Sequence, residues 1–358
     1  MQVTIDRERL KAALGFVAKA APNRSTIPTL ECVLLEANAE SVQLTATNME
    51  VWAQDSAEAF VGATGRVAIP AARLRAIADN APDGCEIELA DRDKARLAVK
   101  AGRSRFNIQT LPADDFPGLP STEAPTHSIA PGHLTRALSS VEAAISREET
   151  RAYLNGVHLA ARENGGLEAV TTDGHRLHLH EIPQTAVTDW PHIIVPRAAV
   201  DMLERLCDDA EGALEVAADE SRIELRAGVR RVVAQLIAGR FPDYPRVIPE
   251  AGDGVTVSRT GLLAAVQRVT PFADRDKSKA IYVKTDETGL AVLAQDGEGN
   301  AAREVVDLEG GAAVVELGLN GQYLRDALRS IQSDRVRLTH RGEQQPLRLD
   351  PIEPDGPA

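Results

Sequence analysis

The chain of 358 residues repeats one strand–helix pattern three times without repeating its amino acids. Each copy opens with a short alternating strand that runs into a helix whose apolar positions lie four residues apart. Because a long period of this kind is the signature of tandem structural units, the pattern predicts three copies of one domain. The matching positions are Ile5, Leu10 and Leu14; Ile129, Leu134 and Leu138; and Val257, Leu262 and Val266.

A second helix start recurs in the same register. It follows Ile69-Pro70, Val195-Pro196 and Leu319-Asn320, where a first-turn proline or a capping asparagine is expected to begin the helix. Between the two helices, a polar turn closes an apolar strand in each copy. The turns are Ala46-Thr47-Asn48-Met49, Thr171-Thr172-Asp173-Gly174 and Ala294-Gln295-Asp296-Gly297. Each pattern alone is common, but three markers in one order favour an internal repeat over coincidence.

Short alternating segments outnumber the helices within each copy. In the first copy they are residues 30–37, 41–47, 86–90, 96–101 and 105–111. We therefore predict an α+β fold in which antiparallel sheets are covered by a pair of helices. Proline-rich stretches at 111–128 and 241–254 predict stiff linkers. The predicted domains are 1–120, 127–247 and 254–358.

The distribution of charge contradicts the first impression given by the net charge of −13, which should repel nucleic acid. Six helices are predicted, at 6–19, 70–79, 131–145, 196–207, 258–270 and 320–332. They contain 13 Lys or Arg and seven acids, a net charge of +6, which leaves −19 for the rest of the chain. If all these helices face one way, they form a basic surface on an acidic body. The alternative is that Arg merely keeps the helix faces soluble.

The composition predicts a soluble protein of the cytoplasm. Cys32, Cys85 and Cys207 are too few and too scattered for a disulfide framework or a zinc site. The first ten residues contain acids and no apolar signal segment, and no 18-residue apolar run could span a bilayer.

An enzymatic alternative comes from a histidine-rich segment. His175, His178 and His180 lie close to Asp173, and two of these histidines share one face of a strand, a spacing that metal sites use. The sequence contains no HExxH motif, no paired cysteines, no phosphate-binding glycine loop and no GxSxG elbow. A metal-dependent hydrolase is therefore kept only as a remote alternative, and no catalytic residue, metal or cofactor is predicted.

Five segments resemble one known family. They are GRSRFNIQTLPADDFP (102–117), YLNGV (153–157), TTDGHRL (171–177), IIVPR (193–197) and GRFPDYPRVIP (239–249). Together they resemble the bacterial DNA polymerase III beta subunit, the sliding clamp. The resemblance implies a head-to-tail homodimer of three-domain chains that forms a pseudo-sixfold ring, with helices lining the hole and sheets outside. It further implies a non-enzymatic processivity factor that encircles duplex DNA, is placed there by a clamp loader, and tethers polymerases and repair proteins through their short clamp-binding peptides.

The resemblance also implies functional residues. Arg24, Arg151 and Tyr153 match positions that touch DNA in the family, although Ala152 replaces a frequent aromatic residue, so that this contact is expected to be weaker. The predicted helices add Arg73, Arg136, Arg197 and Arg205 as DNA-facing residues. A groove for client peptides is implied at Leu154, Thr172, Gly174, His175, Arg176, Leu177, Pro242, Arg246 and Val247. The implied dimer seam consists of Phe106, Pro271 and Phe272.

Simpler interpretations of these segments remain open. Asp173-Gly174 is also a hairpin turn signal, and Phe106 alternates with Ile108 and could belong to an ordinary core.

The third copy is shorter than the others by one strand-like segment in the sequence. The first two copies end in three strand-like segments each, whereas the third has only RVRLTH and PLRLD before PIEPDGPA. The comparison predicts a missing final strand and tail, an unpaired sheet edge and weaker binding of client peptides. This difference motivates a second alternative, a client-binding paralogue that does not stably encircle DNA.

Overall fold

The computed structural model describes residues 1–93, 95–163, 165–183, 187, 189–273, 279–342 and 345–352. The chain forms two compact units. The first unit consists of Met1–Asp173 and Leu179–Arg240, and the second consists of Gly174–His178 and Phe241–Ala358. The first unit therefore holds the first two copies of the sequence pattern, repeats I and II, and most of the second unit is the third copy, repeat III.

Repeat I contains nine strands and two helices among its described residues. The side chain of Asp6 caps the first helix by accepting the backbone N–H groups of Glu8 and Arg9. The strands are β1 (Gln2–Asp6), β2 (Cys32–Ala37), β3 (Ser41–Thr47), β4 (Val51–Glu58), β5 (Phe60–Ala63), β6 (Gly65–Pro70), β7 (Glu86–Asp93), β8 (Arg96–Ala101) and β9 (Ser104–Gln109), and the helices are α1 (Arg7–Val17) and α2 (Ala71–Asn80).

Repeat II follows the same plan. Its helices are α3 (Pro131–Val141), which begins with a proline, and α4 (Arg197–Asp208). Its strands are β10 (His127–Ile129), β11 (Gly156–Ala161), β12 (Leu167–Thr172), β13 (Leu177–Ile182), β14 (Ile193–Pro196), β15 (Leu214–Ala218), β16 (Arg222–Ala227) and β17 (Arg230–Gln235).

In repeat III, both helices begin with a side-chain cap. Ser258 Oγ accepts the N–H of Gly261, and Asn320 Oδ1 accepts the N–H of Gln322. The helices are α5 (Arg259–Val269) and α6 (Gly321–Ser330), and the strands are β18 (Val255–Ser258), β19 (Ala280–Asp286), β20 (Gly289–Gln295), β21 (Ala301–Val306), β22 (Leu308–Gly310), β23 (Glu316–Asn320), β24 (Arg335–Thr339) and β25 (Arg348–Ile352).

All six predicted helices are confirmed, although their ends differ from the prediction by up to four residues. The third helix ends at Val141 and is followed by a short 3-10 turn at Glu142–Ala144, whereas the prediction continued the helix to residue 145. Pro70 and Pro196 occupy the capping position before the helix, not its first turn. Their fixed φ and extended conformation end a strand there, so the helix begins one residue later.

Each repeat builds two antiparallel sheets. We call the sheet formed by the strands between the two helices the middle sheet: β4-β3-β2-β6, β13-β12-β11-β14 and β21-β20-β19-β23 in repeats I, II and III. The first strand of each repeat joins the strands after its second helix in a terminal sheet, which in repeats I and III also includes one strand from between the helices, β5 or β22. The terminal sheets are β5-β1-β7-β8-β9, β10-β15-β16-β17 and β22-β18-β24-β25. The predicted α+β class and the repeated architecture are thus confirmed.

Repeats I and II are joined edge to edge. The last strand of repeat II, β17, pairs antiparallel with β4 of repeat I, with Val232 opposite Ala53 and Val233 opposite Trp52. The terminal sheet of repeat II and the middle sheet of repeat I therefore form one eight-stranded sheet. One hydrophobic core runs through both repeats, while repeat III has its own core.

The third repeat has two strands after its second helix within the described chain, β24 and β25, where the other repeats have three. Pro351 lies in β25 opposite Val336. Since proline has no N–H to donate to a ladder, its position restricts further pairing along this strand. The predicted absence of a final strand and tail concerns in part residues 353–358, which lie outside the described residues, and stays a prediction.

A buried arginine connects the two helices of repeat I. Arg7, the first residue of α1, donates from Nε to the carbonyl of Ala78 at 3.0 Å and from Nη2 to the carbonyl of Asp79 at 3.1 Å. These carbonyls belong to the last turn of α2, where backbone acceptors have no partner within their own helix. The positive charge also favours this end of the helix dipole.

The other repeats use the same device. In repeat III, Arg259 at the start of α5 donates to the carbonyls of Leu328 and Ser333, at 3.2 and 2.7 Å, around the end of α6. In repeat II the direction is reversed, because Arg197 at the start of α4 donates to the carbonyl of Ile145 at 2.7 Å, beyond the end of α3. One arginine per repeat thus holds its helix pair together.

Replacing Arg7 by leucine is expected to lower the free energy of unfolding by about 2–3 kcal/mol, since it removes a charged donor from two carbonyls while keeping apolar volume. Arg7 is 5% exposed, so water does not replace these bonds. Arg9→Leu is the control, because Arg9 forms an exposed ion pair with Glu58. Thermal denaturation followed by circular dichroism should show a lower midpoint for Arg7→Leu only. Equal midpoints for the two variants would contradict the assignment.

Candidate nucleic-acid and peptide interfaces

The observed helices carry the predicted excess of positive charge. Within the observed boundaries they contain twelve Lys or Arg and six Asp or Glu, again a net charge of +6. Three of the arginines, namely Arg7, Arg197 and Arg259, donate to backbone carbonyls. Others pair with carboxylates, and Arg268 does so through two hydrogen bonds to Glu304. The charge available to a ligand is therefore smaller than the formal charge.

Four of the predicted DNA-facing arginines are exposed, namely Arg24, Arg73, Arg136 and Arg151. Arg24 lies in the segment that follows α1, in which Glu31 accepts the backbone N–H of Ser25 at 2.8 Å. Arg73 lies on α2 and Arg136 on α3. Their side chains can reach a ligand without leaving a buried site.

The predicted contact at residues 151 and 153 lies in a 3-10 segment, Glu149–Leu154. Arg151 is exposed, has a non-helical backbone inside this segment and lies 3.5 Å from Glu148. Tyr153 is also exposed, and its Cβ would lie 3.3 Å from a side chain added at Gly239. The segment thus presents a cation and an aromatic ring at neighbouring positions.

The electrostatics of α4 are mixed. Burial lowers the pKa of Arg197, and so does the neighbouring Arg147. Burial raises the pKa of Glu204 to about 7, helped by the carboxylates of Glu142, Asp201 and Asp208. A carboxyl group with a pKa near 7 is protonated for about half of the time at neutral pH. Arg205 is therefore opposed by less negative charge than the formal count of acids on α4 indicates.

Two predicted groove residues meet one side of α6 within the second unit. The guanidinium of Arg176 lies 4.5 Å from the ring centre of Tyr323, and its Nη1 donates to Asp326 Oδ2 at 2.8 Å. The His175 ring stacks on the same tyrosine, with centroids 6.2 Å apart. A cation over an aromatic face and a charge-assisted hydrogen bond fix both side chains.

Sequence reasoning missed Tyr323 and Asp326 as parts of this site. Asp326 was counted only as one of the helix acids, and Tyr323 was not considered. The available signal was an aromatic residue in the first turn of α6, in a chain with 3% aromatic residues. That signal identifies an aromatic position on the helix but not the residues that it contacts.

The remaining groove candidates of the second unit lie near the two places where the chain enters that unit, at Gly174 and at Phe241. Gly174 has a φ of 87°, which confirms the turn after Asp173, and Leu177 begins β13. Arg246 and Val247 lie in the 3-10 turn Tyr244–Val247 and are exposed, as is Pro242. Arg246 pairs with Asp243 at 2.5 Å.

Two groove candidates belong to the first unit. Thr172 is half-buried at the end of β12. Leu154 is buried, and its carbonyl accepts the N–H of Ser146 at 3.0 Å.

The proposed seam residues are exposed apolar side chains. Phe106 lies on β9, whose neighbour in the described chain is β8, and Ile108 on the same strand is buried. Pro271 and Phe272 are exposed in the 3-10 turn that follows α5. Phe106 is therefore not an ordinary core residue of the single chain.

The histidine-rich segment does not assemble a metal site in the part of the chain that the structure describes. Within the described residues no group of three His, Cys, Asp or Glu side chains is arranged to hold a metal ion. Burial lowers the pKa of His180, and Arg136 adds to this effect. No described helix has the length and apolar character needed to cross a membrane.

Three family models match the chain in succession. They describe the N-terminal, central and C-terminal domains of the DNA polymerase III beta subunit and match residues 1–120, 128–243 and 245–356. The beta sliding clamp of Caulobacter vibrioides is 32% identical over 362 residues, covering 99% of this chain and 97% of that protein. The beta sliding clamp of Pseudomonas putida is 34% identical over 344 residues, covering 94% of this chain and 92% of its relative.

Solved structures agree with these sequence matches. A DNA polymerase sliding clamp from Pseudomonas aeruginosa has a TM-score of 0.93 at 31% identity, covering 99% of this chain and 97% of that one. A DnaN sliding clamp from the same organism, bound to griselimycin, has a TM-score of 0.91 at 32% identity, covering 99% and 96%. The chain therefore belongs to the DNA polymerase III beta subunit family and is a DNA sliding clamp, a processivity factor and not an enzyme.

Proposed function

We propose that two copies of this chain close head to tail into a ring around duplex DNA. The pairing of β17 with β4 carries the proposal, because it shows how one repeat joins the next. The strand equivalent to β17 in repeat I is β9, and the strand equivalent to β4 in repeat III is β21. In the described chain each of these is the edge strand of its sheet. Pairing β9 of one protomer with β21 of its partner would repeat the joint observed between repeats I and II, and two such joints close a ring.

Residue equivalence supports the same seam. Gly102 and Gly228, both with a φ of 57°, close the hairpins β8–β9 and β16–β17, so Phe106 corresponds to Val232. Val232 is fully buried opposite Ala53 in the joint between repeats I and II. Phe106, by contrast, is 38% exposed. Its partner surface is therefore expected on a second protomer.

Phe272, the second seam residue, is likewise exposed although its counterpart in repeat I is buried. Aligning the helix positions Leu14 and Val266 makes Phe272 the counterpart of Ala20. Ala20 is 4% exposed within the first unit, whereas Phe272 is 40% exposed. A large side chain stands in repeat III where repeat I has a small one, which suits an interface that must be stable without a covalent linker.

Within the ring, we propose that the exposed helix arginines attract the phosphates without reading the sequence. Arg24, Arg73 and Arg136 are the proposed contacts, and Arg151, Tyr153, Arg197 and Arg205 are further candidates. Because each phosphate contact adds to the salt dependence of binding, a ring held by topology needs few of them and can slide. We propose that a clamp loader opens the ring and that the protein acts in the bacterial cytoplasm on the nucleoid. We also propose that its domains are residues 1–120, 127–247 and 254–358.

We further propose that His175, Arg176 and Tyr323 form part of the surface that binds client peptides. The ring of Tyr323 supports both neighbours, so a peptide meets side chains that are already positioned. Gly174, Leu177, Pro242, Arg246 and Val247, with Leu154 and Thr172, remain candidates for the rest of that surface. Polymerases and repair proteins that carry short clamp-binding peptides are the proposed clients.

Retention on circular DNA tests the ring directly. After loading with a bacterial clamp loader and ATP, the protein should stay on a nicked circle through gel filtration and leave when a restriction enzyme linearises the circle. Raising the salt concentration should change this retention little, because topology holds the ring. Loss from circles and linear DNA at the same rate would instead support the client-binding paralogue.

The seam is tested by Phe106→Asp. A carboxylate in this apolar contact is expected to weaken dimerisation at least about tenfold, since an unpaired charge would be buried there. The matched control is Phe60→Asp, at an exposed position on β5, the opposite edge of the same sheet. Sedimentation equilibrium should show a larger fraction of monomers for Phe106→Asp than for Phe60→Asp. An unchanged dimer would place the seam elsewhere.

The client surface is tested by Tyr323→Ala with griselimycin as the probe, since a related DnaN clamp binds it. Removing the ring leaves His175 and Arg176 without their support and is expected to weaken binding about tenfold by calorimetry. Tyr282→Ala, at an exposed tyrosine on β19, is the control. Equal affinities of the two variants would exclude a role for Tyr323.

A further inference from the structure

Repeat III exposes one face of its middle sheet. Tyr282, Leu293 and Arg303 lie side by side on neighbouring strands of that sheet. The residues flanking Tyr282, namely Ile281 and Val283, point to the other face and are fully buried. A cleft of about 610 Å³ lies over the exposed face and is lined by Tyr282, Lys284, Leu293, Arg303, Glu316 and Gly318, among others.

In repeat I, the corresponding face is covered by the chain that follows β9. Leu34 and Ala68 pack with Phe116 in a small apolar cluster, to which Leu111 and Ala113 also belong. The backbone of Leu111 exchanges two hydrogen bonds with Ala68, at 2.9 and 3.3 Å. We call residues 111–116 the covering segment. It forms one backbone bridge at Leu111, contains the 3-10 turn Ala113–Asp115 and presents two apolar anchors, Leu111 and Phe116, five residues apart.

Repeat II contains an equivalent backbone hydrogen bond at the equivalent residue of its middle sheet. The residue before Val195-Pro196 is Ile194, as Ala68 is the residue before Ile69-Pro70. The N–H of Ile237, which follows β17, donates to the carbonyl of Ile194 at 2.9 Å. Opposite Ile194 lies His158, which is 4% exposed. The segment after each of these two terminal sheets thus bonds to one residue of the middle sheet.

The counterpart of Ala68 and Ile194 in repeat III is Gly318, the residue before Leu319-Asn320. Tyr282 is paired with Gly318, as Leu34 is with Ala68, but Tyr282 is 61% exposed and Leu34 only 6%. A Cβ added at Gly318 would lie 3.3 Å from Tyr282 Cε1, so the ring lies across the glycine. In the described chain β23 has no strand on the side of Gly318 that faces away from β19.

We propose that this cleft docks a short segment of a partner protein, in the manner in which the covering segment docks on repeat I. An apolar residue of the partner exchanges backbone hydrogen bonds with Gly318, and a phenylalanine five residues later packs on Tyr282 and Leu293. Docking through backbone hydrogen bonds to a sheet edge takes part of its affinity from the main chain and its specificity from side-chain anchors. Residues 353–358 of the chain itself, Glu-Pro-Asp-Gly-Pro-Ala, contain neither leucine nor phenylalanine and lack this chemistry.

The charges around the cleft specify the partner further. In repeat I, Glu36 pairs with Arg66 at 2.7 Å, and Asp114 of the covering segment lies 3.7 Å from Arg66. In repeat III the charges of the equivalent cross-strand pair are reversed. Lys284 stands at the position of Glu36, and Glu316 stands at the position of Arg66. A partner segment is therefore expected to carry a basic residue where the covering segment carries Asp114.

The test uses the full-length protein and two fluorescein-labelled peptides. One has the sequence of residues 109–118, QTLPADDFPG, and the other carries lysine at the position of Asp114, QTLPAKDFPG. Fluorescence anisotropy should show saturable binding of the lysine peptide, weaker binding of the aspartate peptide, and a loss of about tenfold or more when the phenylalanine is replaced by alanine. Binding of neither peptide up to about 1 mM would overturn the proposal.

Variants of the protein locate the site. Tyr282→Lys and Leu293→Lys should each weaken binding of the lysine peptide about tenfold, whereas the matched control Val314→Lys, at an exposed apolar residue outside the cleft, should not. Tyr282 is largely exposed, so Tyr282→Lys keeps the test valid if Leu293→Lys fails to fold. Unchanged affinity in Tyr282→Lys would overturn the proposal. Loss of binding in Arg176→Ala with retention in Tyr282→Lys would do so too, because the peptide would then occupy the client surface.

Discussion

The pairing of β17 with β4 is the interaction on which the rest of the structure depends. It turns two repeats into one unit, since an edge strand of repeat II continues a sheet of repeat I over four residue pairs. Strand pairing of this kind fixes register strictly, because a slip by one residue would turn Val232 from the core towards solvent. The continuous core through both repeats follows from that register.

Side chains reinforce this joint. Arg230 on β17 donates to Asp55 on β4 at 2.9 Å and to Asp209 at 2.6 Å, and its guanidinium lies 4.9 Å from the ring centre of Phe16. Burial raises the pKa of Asp55 even though Arg230 opposes the shift. A carboxylate that is costly to bury is thus held by a partner from the other repeat. Removal of that partner would leave a buried charge, so each repeat depends on the other.

Much of the fold is visible in the sequence because local patterns determine it. The helices follow from apolar residues four positions apart and from polar capping residues such as Asn320, and strands such as β3 and β8 follow from alternation. β4 was not among the predicted segments, and the sharing of one sheet by two repeats has no local signature. Pairing partners of a strand edge are chosen by distant residues, which a pattern along the chain does not contain.

The candidate site is less predictable for a related reason. A count of helix charges gives the correct net value, but it does not reveal that Arg7 and Arg259 are bound to carbonyls of the neighbouring helix. Nor does it reveal that Tyr323 lies against Arg176, which is far away in the chain. Whether an arginine serves the fold or a ligand depends on where its neighbours place hydrogen-bond acceptors. That information is tertiary, so charge alone predicts a surface and not its contacts.

The three repeats differ most clearly where the same backbone position has different surroundings. Leu34, His158 and Tyr282 occupy one register position. Their cross-strand partners are Ala68, Ile194 and Gly318, which directly precede Ile69-Pro70, Val195-Pro196 and Leu319-Asn320. A covered position favours an apolar side chain such as Leu34, whereas tyrosine combines a large apolar surface with a hydroxyl that tolerates water. Because Gly318 has no side chain, the ring of Tyr282 can lie across it and shield the backbone that a side chain would otherwise cover. Repeats with one backbone plan therefore differ in the exposure of this face, because the segment after β9 buries it at Leu34 in repeat I, whereas Tyr282 is largely exposed in repeat III.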